Sequence, residues 1–452
     1  MKMSRISALL DKGDDALRAW LLGACRCGWL LQGLTLTVFF AVMMTRTLMQ
    51  TNGMPVFYRA ATVLMLCVPL AAMLHFALQA VCRRKDSVLA ALAACALCAL
   101  AMLLRVSFIE RSSGDYDIYL ANWIARLAEG SFGEGMKANI GEYNVLYQYI
   151  LFIITRLPVA PLYAVKAVSF VGDAFLAGAA MRLADRNGRS GMAAFALVLL
   201  LPSVALNGGM FAQCDSLYAS CALWGLALAL DQKPVRAAAC FALSLAFKLQ
   251  AAFILPVVVI LWGHRRFKLR DAFVFIGSLL AVMLPALLGG KSLMDIIGIY
   301  TAQTGLYTGL NYNAANFFGM LNTAGLDVYA YGNFGLALAF GVCAVLVYTG
   351  LAGGEKTEEP QYVRLALLMV LMIVFFLPRM HERYFYMALP LAAAYAAQRG
   401  GKAVFVPALI ETAMLSTLWD LGIVLPAASV MMLLAIILVL SDEKKDCIAG
   451  KM

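Results

Sequence analysis

Two short stretches of this 452-residue chain carry side chains suited to proton transfer and anion binding. The first is Ser112-Ser113-Gly114-Asp115-Tyr116-Asp117-Ile118-Tyr119, which sets two carboxylates and two tyrosines just after a long apolar run. A carboxylate within hydrogen-bond reach of a hydroxyl can take its proton and make it a better nucleophile. Asp115 is the candidate base. The second is Arg379-Met380-His381-Glu382-Arg383, a tight group of cationic side chains suited to an anionic ligand. Two polar pairs, Gln213 with Asp215 and Lys248 with Gln250, also interrupt apolar sequence.

Composition places these residues in a membrane protein. The chain is 63% hydrophobic and 14% charged, and apolar runs of about 20 residues span a bilayer. No stretch suits a separate soluble domain, so residues 1–452 read as one integral-membrane unit. The start of the chain, with Lys2, Arg5, Lys12 and Arg18, reads as polar rather than as a cleavable signal. The net charge of +10 does not indicate nucleic acid. Its basic residues sit in short turns: Arg83-Arg84-Lys85, then Arg182, Arg186 and Arg189, then Arg265-Arg266-Phe267-Lys268. That is the pattern of cytoplasmic loops. Most of the 11 cysteines (Cys67, Cys95, Cys98, Cys240 and Cys343 among them) lie in apolar runs and read as small buried hydrophobes.

The elements that must position the polar residues follow from the apolar runs, oriented by their flanking Lys and Arg. They predict an all-α polytopic fold with about fourteen crossings and both ends cytoplasmic. The spans are 29–44, 61–82, 88–104, 161–183, 192–206, 217–230, a short hairpin of 237–247 and 251–262, 273–288, 335–351, 365–377, 385–397, 404–418 and 424–440. Residues 145–157 dip in without crossing. Two long loops remain outside, 105–144 and 289–334, the first of them catalytic. Within it Ile118, Leu120, Trp123, Ile124 and Leu127 recur at helical spacing, with Asn122, Arg126 and Glu129 between them. This predicts an amphipathic helix along the membrane surface. The charged tail from Asp442 lies inside, and no internal repeat is visible.

Under this topology the unusual polar residues all fall at the outer ends of spans. Ionisable residues within membrane segments read as functional by default. Each has a plainer alternative. Asp215 suits a helix cap, Lys248 can snorkel to the headgroups, and Arg379 and Arg383 can meet lipid phosphates. Four motifs on one side of one chain favour a site.

In this order the motifs resemble GT-C glycosyltransferases that use polyprenyl-phosphate sugars. Gly114-Asp115-Tyr116-Asp117 resembles their first-loop signature. Tyr143-Asn144-Val145-Leu146-Tyr147 is similar to their Tyr-Pro-Pro-Leu segment, without its prolines. Ala212-Gln213-Cys214-Asp215-Ser216 resembles a Gln-x-Asp/Asn-Ser turn. Phe247-Lys248-Leu249-Gln250 resembles a Lys-x-Gln turn, and Met380-His381-Glu382-Arg383-Tyr384 a His-Glu-Arg/Lys motif. Among these enzymes the chain resembles bacterial relatives of the second mannosyltransferase of GPI-anchor synthesis. It is more distantly similar to the dolichyl-phosphate-glucose glucosyltransferases of N-glycan precursor synthesis.

The resemblance implies inverting transfer of a hexose, mannose first, from a polyprenyl phosphate to a hydroxyl on the external face of the cytoplasmic membrane. The partners implied are the lipid-linked donor, a glycan, lipid or protein acceptor, and membrane lipids; no cofactor is implied. Asp115 would be the base. His381, Arg379, Arg383 and Lys248 would offset the leaving phosphate. Asp117, Tyr116, Tyr119, Tyr143, Asn144, Gln213, Asp215, Gln250 and Glu382 would contact substrate, although interfacial anchoring suits Tyr116, Tyr119 and Trp123 equally. Two rival readings are a transporter or flippase of lipid-linked sugars, and a ligase or polymerase using a polyprenyl-diphosphate donor. Asp115 and Asp117 form an Asp-x-Asp pair that could suggest a metal. In a helix residues two apart point about 200° from each other, whereas in a strand they share a face. No third carboxylate or histidine stands beside the pair, although Glu110 and Glu142 are in the same loop, and no metal is expected.

Overall fold

In hydrocarbon a chain must satisfy its own backbone groups, which dictates helices for sequence this apolar. The computed structural model describes residues 28–49, 55–84, 87–138, 140–141, 143–185, 191–305, 308–321, 323, 325–419 and 421–442. The polar start at 1–20, Lys85, Glu142, Arg186, Arg189 and the tail beyond Asp442 lie outside the described residues.

The helices run in the order α1 (Trp29–Met49), α2 (Val56–Arg83), α3 (Val88–Val106), α4 (Ala121–Glu129), α5 (Phe132–Lys137), α6 (Val145–Ile154) and α7 (Pro161–Asp185). Then come α8 (Gly191–Leu200), α9 (Pro202–Gly209), α10 (Asp215–Leu230), α11 (Pro234–Phe247), α12 (Pro256–Gly263), α13 (Leu269–Leu288) and α14 (Leu293–Gly305). The last are α15 (Val328–Ala352), α16 (Glu359–Phe376), α17 (Ala388–Arg399), α18 (Phe405–Trp419) and α19 (Leu425–Ser441). Proline opens α9, α11 and α12, where its missing N–H removes a donor that has no partner within the helix.

All the expected apolar runs are helical, so the all-α polytopic fold stands. Among the described residues eight helices are long and apolar enough to cross a membrane, or nine if the bent pair α8–α9 is one span. The other expected crossings fall on shorter helices, such as α11 with 14 residues and α12 with 8. At 1.5 Å per residue, α12 reaches only about 12 Å of a hydrocarbon core near 30 Å. The helix α6, at 10 residues, is likewise short of a span.

The long helix α7 forms the centre of the bundle and packs against α2, α8, α10 and α17. Gly172 on α7 permits the approach of α10, because a Cβ there would lie 2.4 Å from Ser216 Oγ. By contrast α1, α13 and α15 expose apolar side chains such as Phe273, Leu280 and Phe340, as lipid-facing helices do. Cys95 and Cys98 are buried free thiols in α3, as small core residues would be.

The basic turns gather at one end. Arg84 pairs with Asp185 at 2.8 Å and Arg182 with Asp231 at 2.8 Å. At the same end Gln398 Nε2 donates to the Leu183 carbonyl at 2.8 Å. The polar loops occupy the opposite end. There Asn311–Tyr312 (β1) pairs in parallel with Met380–His381 (β2), Tyr312 opposite His381.

One expectation is corrected: ionisable residues are not confined to the ends of spans. Arg105 Nε and Asp173 Oδ2 form an ion pair at 2.7 Å whose side chains are at most 1% exposed. Lys166 is also buried, and its Nζ donates to the carbonyls of Phe108 at 2.7 Å, Ile109 at 3.2 Å and Arg111. Two charges in a long apolar helix barely lower its average hydropathy, so Lys166 and Asp173 hide inside the expected span 161–183, while Arg105, expected at the start of the first loop, lies in the last turn of α3.

Candidate active site

The first loop descends from α3 into a turn pinned by Ser113, whose Oγ donates to the Phe211 carbonyl at 3.3 Å. Residues Tyr116–Leu120 form a π-helical turn, closed by the Ala121 N–H on the Tyr116 carbonyl five residues back. The extra residue in this turn changes which side chains face inward. Tyr116, Leu120, Ile124 and Leu127 are buried, while Ile118 and Tyr119 are exposed. The amphipathic helix therefore exists as α4, but Ile118 does not share its apolar face. Tyr116 packs in the core beneath the loop, and Tyr119 points away from it towards Trp123, so neither belongs to the polar network. Burial, with Asp117 nearby, pushes the Tyr116 hydroxyl up to about 12.

Asp115, by contrast, reaches the centre of the site. Its Oδ2 accepts from Arg383 Nη1 at 2.6 Å and from Gln213 Nε2 at 3.2 Å. Gln213 Oε1 in turn accepts from the Tyr143 hydroxyl at 2.8 Å. Burial, with Cys214, Tyr147 and Asp215 close by, holds that hydroxyl well above its ordinary value of 10, so Tyr143 remains a neutral donor. Asp115 Oδ1 has no partner among the described residues, and the side chain is 42% exposed. It is a fixed carboxylate with one open oxygen.

The second carboxylate near the centre is committed differently. Asp215 is the first residue of α10, one past the N-cap position that Cys214 holds, and its Oδ2 makes no hydrogen bond among the described residues. Its Oδ1 lies 2.5 Å from Lys248 Nζ, and its own exposure is 2%. Lys248 sits in extended backbone between α11 and a 3₁₀ turn at Leu249–Phe253, with Nζ 5.6 Å from the centre of the Tyr143 ring. The ion pair replaces both plainer readings, Asp215 as a helix cap and Lys248 snorkelling to headgroups.

The His381-Glu382-Arg383 segment closes the network. Arg383 Nε lies 3.4 Å from Glu382 Oε1, and Glu382 Oε2 lies 3.7 Å from His381 Nδ1. Burial would raise the Glu382 carboxyl, but the His381 and Arg383 contacts outweigh it and hold it below its ordinary 4.5. Arg383 is desolvated too, yet Glu382, Asp215 and Asp115 together keep it firmly charged. A guanidinium carries five N–H donors. Here Nη1 and Nε serve carboxylates, while Nη2 makes no hydrogen bond among the described residues. That nitrogen is available to a phosphate oxygen.

The other predicted residues are placed as follows. Asp117 accepts from Ser112 Oγ at 2.8 Å, away from Arg383. Asn144 is buried and donates to the Leu245 carbonyl at 3.1 Å, tying the first loop to α11. Gln250 is buried in the 3₁₀ turn. Arg379 holds the register of β2, its N–H donating to the Leu310 carbonyl at 2.8 Å. Three residues in these segments, Ala212, Asn313 and Arg379, have positive φ without being glycine. Such backbone clusters where a fold fixes functional groups.

Two features escape the sequence reading. Tyr312, in the second long loop, stacks on His381 with ring centres 5.0 Å apart. Only the strand pairing shows which residue of that loop meets the motif. The buried Arg105–Asp173 pair, with the Tyr386 hydroxyl 3.4 Å from Asp173, links α3 and α7 to the segment just after Arg383. An aspartate inside a predicted span was the signal available for it.

Residues 143–264 match a family model described as alpha-(1->6)-mannopyranosyltransferase, N-terminal domain. The matched segment carries Tyr143, Gln213, Asp215 and Lys248, but not Asp115 or Arg383. It points to mannosyltransferases in general, not to the GPI-anchor or dolichyl-phosphate-glucose branches. A comparison with curated proteins gives no match. With this match and this architecture, the chain is a membrane glycosyltransferase.

Proposed function

We propose that the chain is an inverting mannosyltransferase that moves mannose from a polyprenyl phosphate to an acceptor hydroxyl, on the external face of the cytoplasmic membrane. The observation that carries this reading is the convergence of Asp115, Gln213, Tyr143 and Arg383 in one hydrogen-bonded network. Asp115 Oδ1 takes the acceptor proton as the hydroxyl attacks the anomeric carbon, and the bond to the lipid phosphate breaks. The leaving phosphate monoester needs compensating charge rather than a proton. Arg383 Nη2 supplies that charge from a nitrogen adjacent to the one that fixes the base. His381 and Lys248 add to the field.

Inversion fits the division of labour between the carboxylates. A retaining path needs a second carboxylate free to act as nucleophile. Asp215 is buried and bound to Lys248, which leaves Asp115 to act in a single displacement. An α-linked product, as in the matched family's description, would then require a β-linked donor.

Sealed membrane vesicles of known orientation test the reading. Polyprenyl-phosphate mannose, polyprenyl-phosphate glucose and a polyprenyl-diphosphate sugar are supplied separately, and mannosylated products are measured by mass. Transfer from the monophosphate mannose at the external face is expected. Transfer from the diphosphate donor alone would identify a ligase or polymerase, and movement of the lipid-linked sugar without transfer would identify a transporter.

A further inference from the structure

A cavity of about 290 Å³ with mixed polar and apolar walls lies between the end of the first loop, the start of α6 and the helix α14. Gly141, Gln148, Lys291, Asp295 and Gly298 line it, with apolar wall from Ile299. A bound water needs only ~10–15 Å³ of such space, so the cavity has room for a group much larger than one water.

Gln148 indicates what that is. Its Nε2 donates to the carbonyls of Ile140 at 3.0 Å and Tyr143 at 3.0 Å. Those two bonds fix which end of the amide is oxygen. The oxygen, Oε1, is buried and has no hydrogen-bond partner in the protein, in a side chain only 1% exposed. An occupant must bring it an O–H or N–H donor. Ionised phosphates and carboxylates only accept, so they cannot satisfy it. The charges of Lys291 and Asp295 offset each other, which also removes any preference for an anion. The missing side chain of Gly298 and the face of Ile299 leave flat wall beside polar groups, which suits a sugar ring with its C–H face and hydroxyl edge.

The cavity is tied to the candidate base through one residue. Gln148 holds the Tyr143 carbonyl, while the Tyr143 hydroxyl bonds Gln213, which bonds Asp115. Resting on the glycosyltransferase reading of that network, we infer that this cavity is an acceptor subsite for a neutral glycan, seating a sugar behind the one whose hydroxyl meets Asp115.

Gly298→Leu tests this. A side chain started at Gly298 meets nothing within 4 Å, and leucine favours a helix more than glycine does, so the variant fills the cavity without disturbing α14. Calorimetry on the purified full-length protein measures binding of mannose and mannotetraose. The wild type is expected to bind mannotetraose at least tenfold more tightly than mannose, and Gly298→Leu to lose that gain. Equal gains in both proteins, or no gain in the wild type, would overturn the subsite. So would a serine-containing peptide whose binding, unlike that of the glycan, is lost in Gly298→Leu. Because binding is read without turnover, a cavity that holds the glycan in an enzyme that transfers nothing would refute the proposed reaction and not the subsite.

Discussion

Arg383 Nη1 lies 2.6 Å from Asp115 Oδ2, although 268 positions separate the two residues in the chain. The same guanidinium contacts Glu382 through Nε. In the proposed reaction its planar fork therefore fixes the base and meets the phosphate at once. Lysine keeps the charge but has no fork and cannot span both carboxylates. Hydrogen bonds to charged groups contribute about 1.5–3 kcal/mol, so Arg383→Lys should lower kcat/KM for the lipid donor about 10- to 100-fold. The check is steady-state kinetics at fixed acceptor. A value within twofold of wild type would show that charge alone suffices and that the fork is incidental.

The Lys248–Asp215 pair makes a separate prediction about stability. Both side chains are largely buried, at 12% and 2% exposure. Removing one partner of a buried pair leaves an uncompensated charge and costs about 3–5 kcal/mol, whereas neutralising both costs less. Lys248→Met should therefore lower the melting temperature in detergent clearly. Adding Asp215→Asn to it should recover part of the loss. Equal melting of the single and double variants would mean that Asp215 finds another partner.

Much of this arrangement was legible in the sequence because the polar motifs interrupt apolar runs. Asp115, Gln213, Asp215, Lys248 and Arg383 each stood out as charge or amide in the breaks between apolar runs, and all five meet at one end of the bundle. Local periodicity failed at Ile118, because a π-helical turn inserts a residue and rotates it outward. Tyr312 was hidden for another reason: a pairing of two residues with two leaves no repeating pattern to detect. Asp173 was absorbed into the span 161–183 and Arg105 into the first loop, since each charge is neutralised by a partner 68 positions away that a window along the chain does not see.

The Asp-x-Asp pair bears on metal dependence. Asp115 turns to Arg383 and Gln213, while Asp117 turns to Ser112. Carboxylates committed to different partners on different sides of a helical turn cannot close on one ion. Activity is expected to survive excess EDTA, with Arg383 and Lys248 supplying the positive charge. Loss of turnover on chelation, restored by Mg²⁺ or Mn²⁺, would contradict this and favour a diphosphate donor.

The central claim is that Asp115 accepts the acceptor proton during mannosyl transfer. Its most direct test is Asp115→Asn, which keeps the shape and the contact with Gln213 but removes the basic oxygen. Single-turnover transfer from polyprenyl-phosphate mannose should fall by roughly 10²–10⁴-fold while donor binding is retained. Wild-type turnover in Asp115→Asn would remove Asp115 from the chemistry and with it the mechanism proposed here.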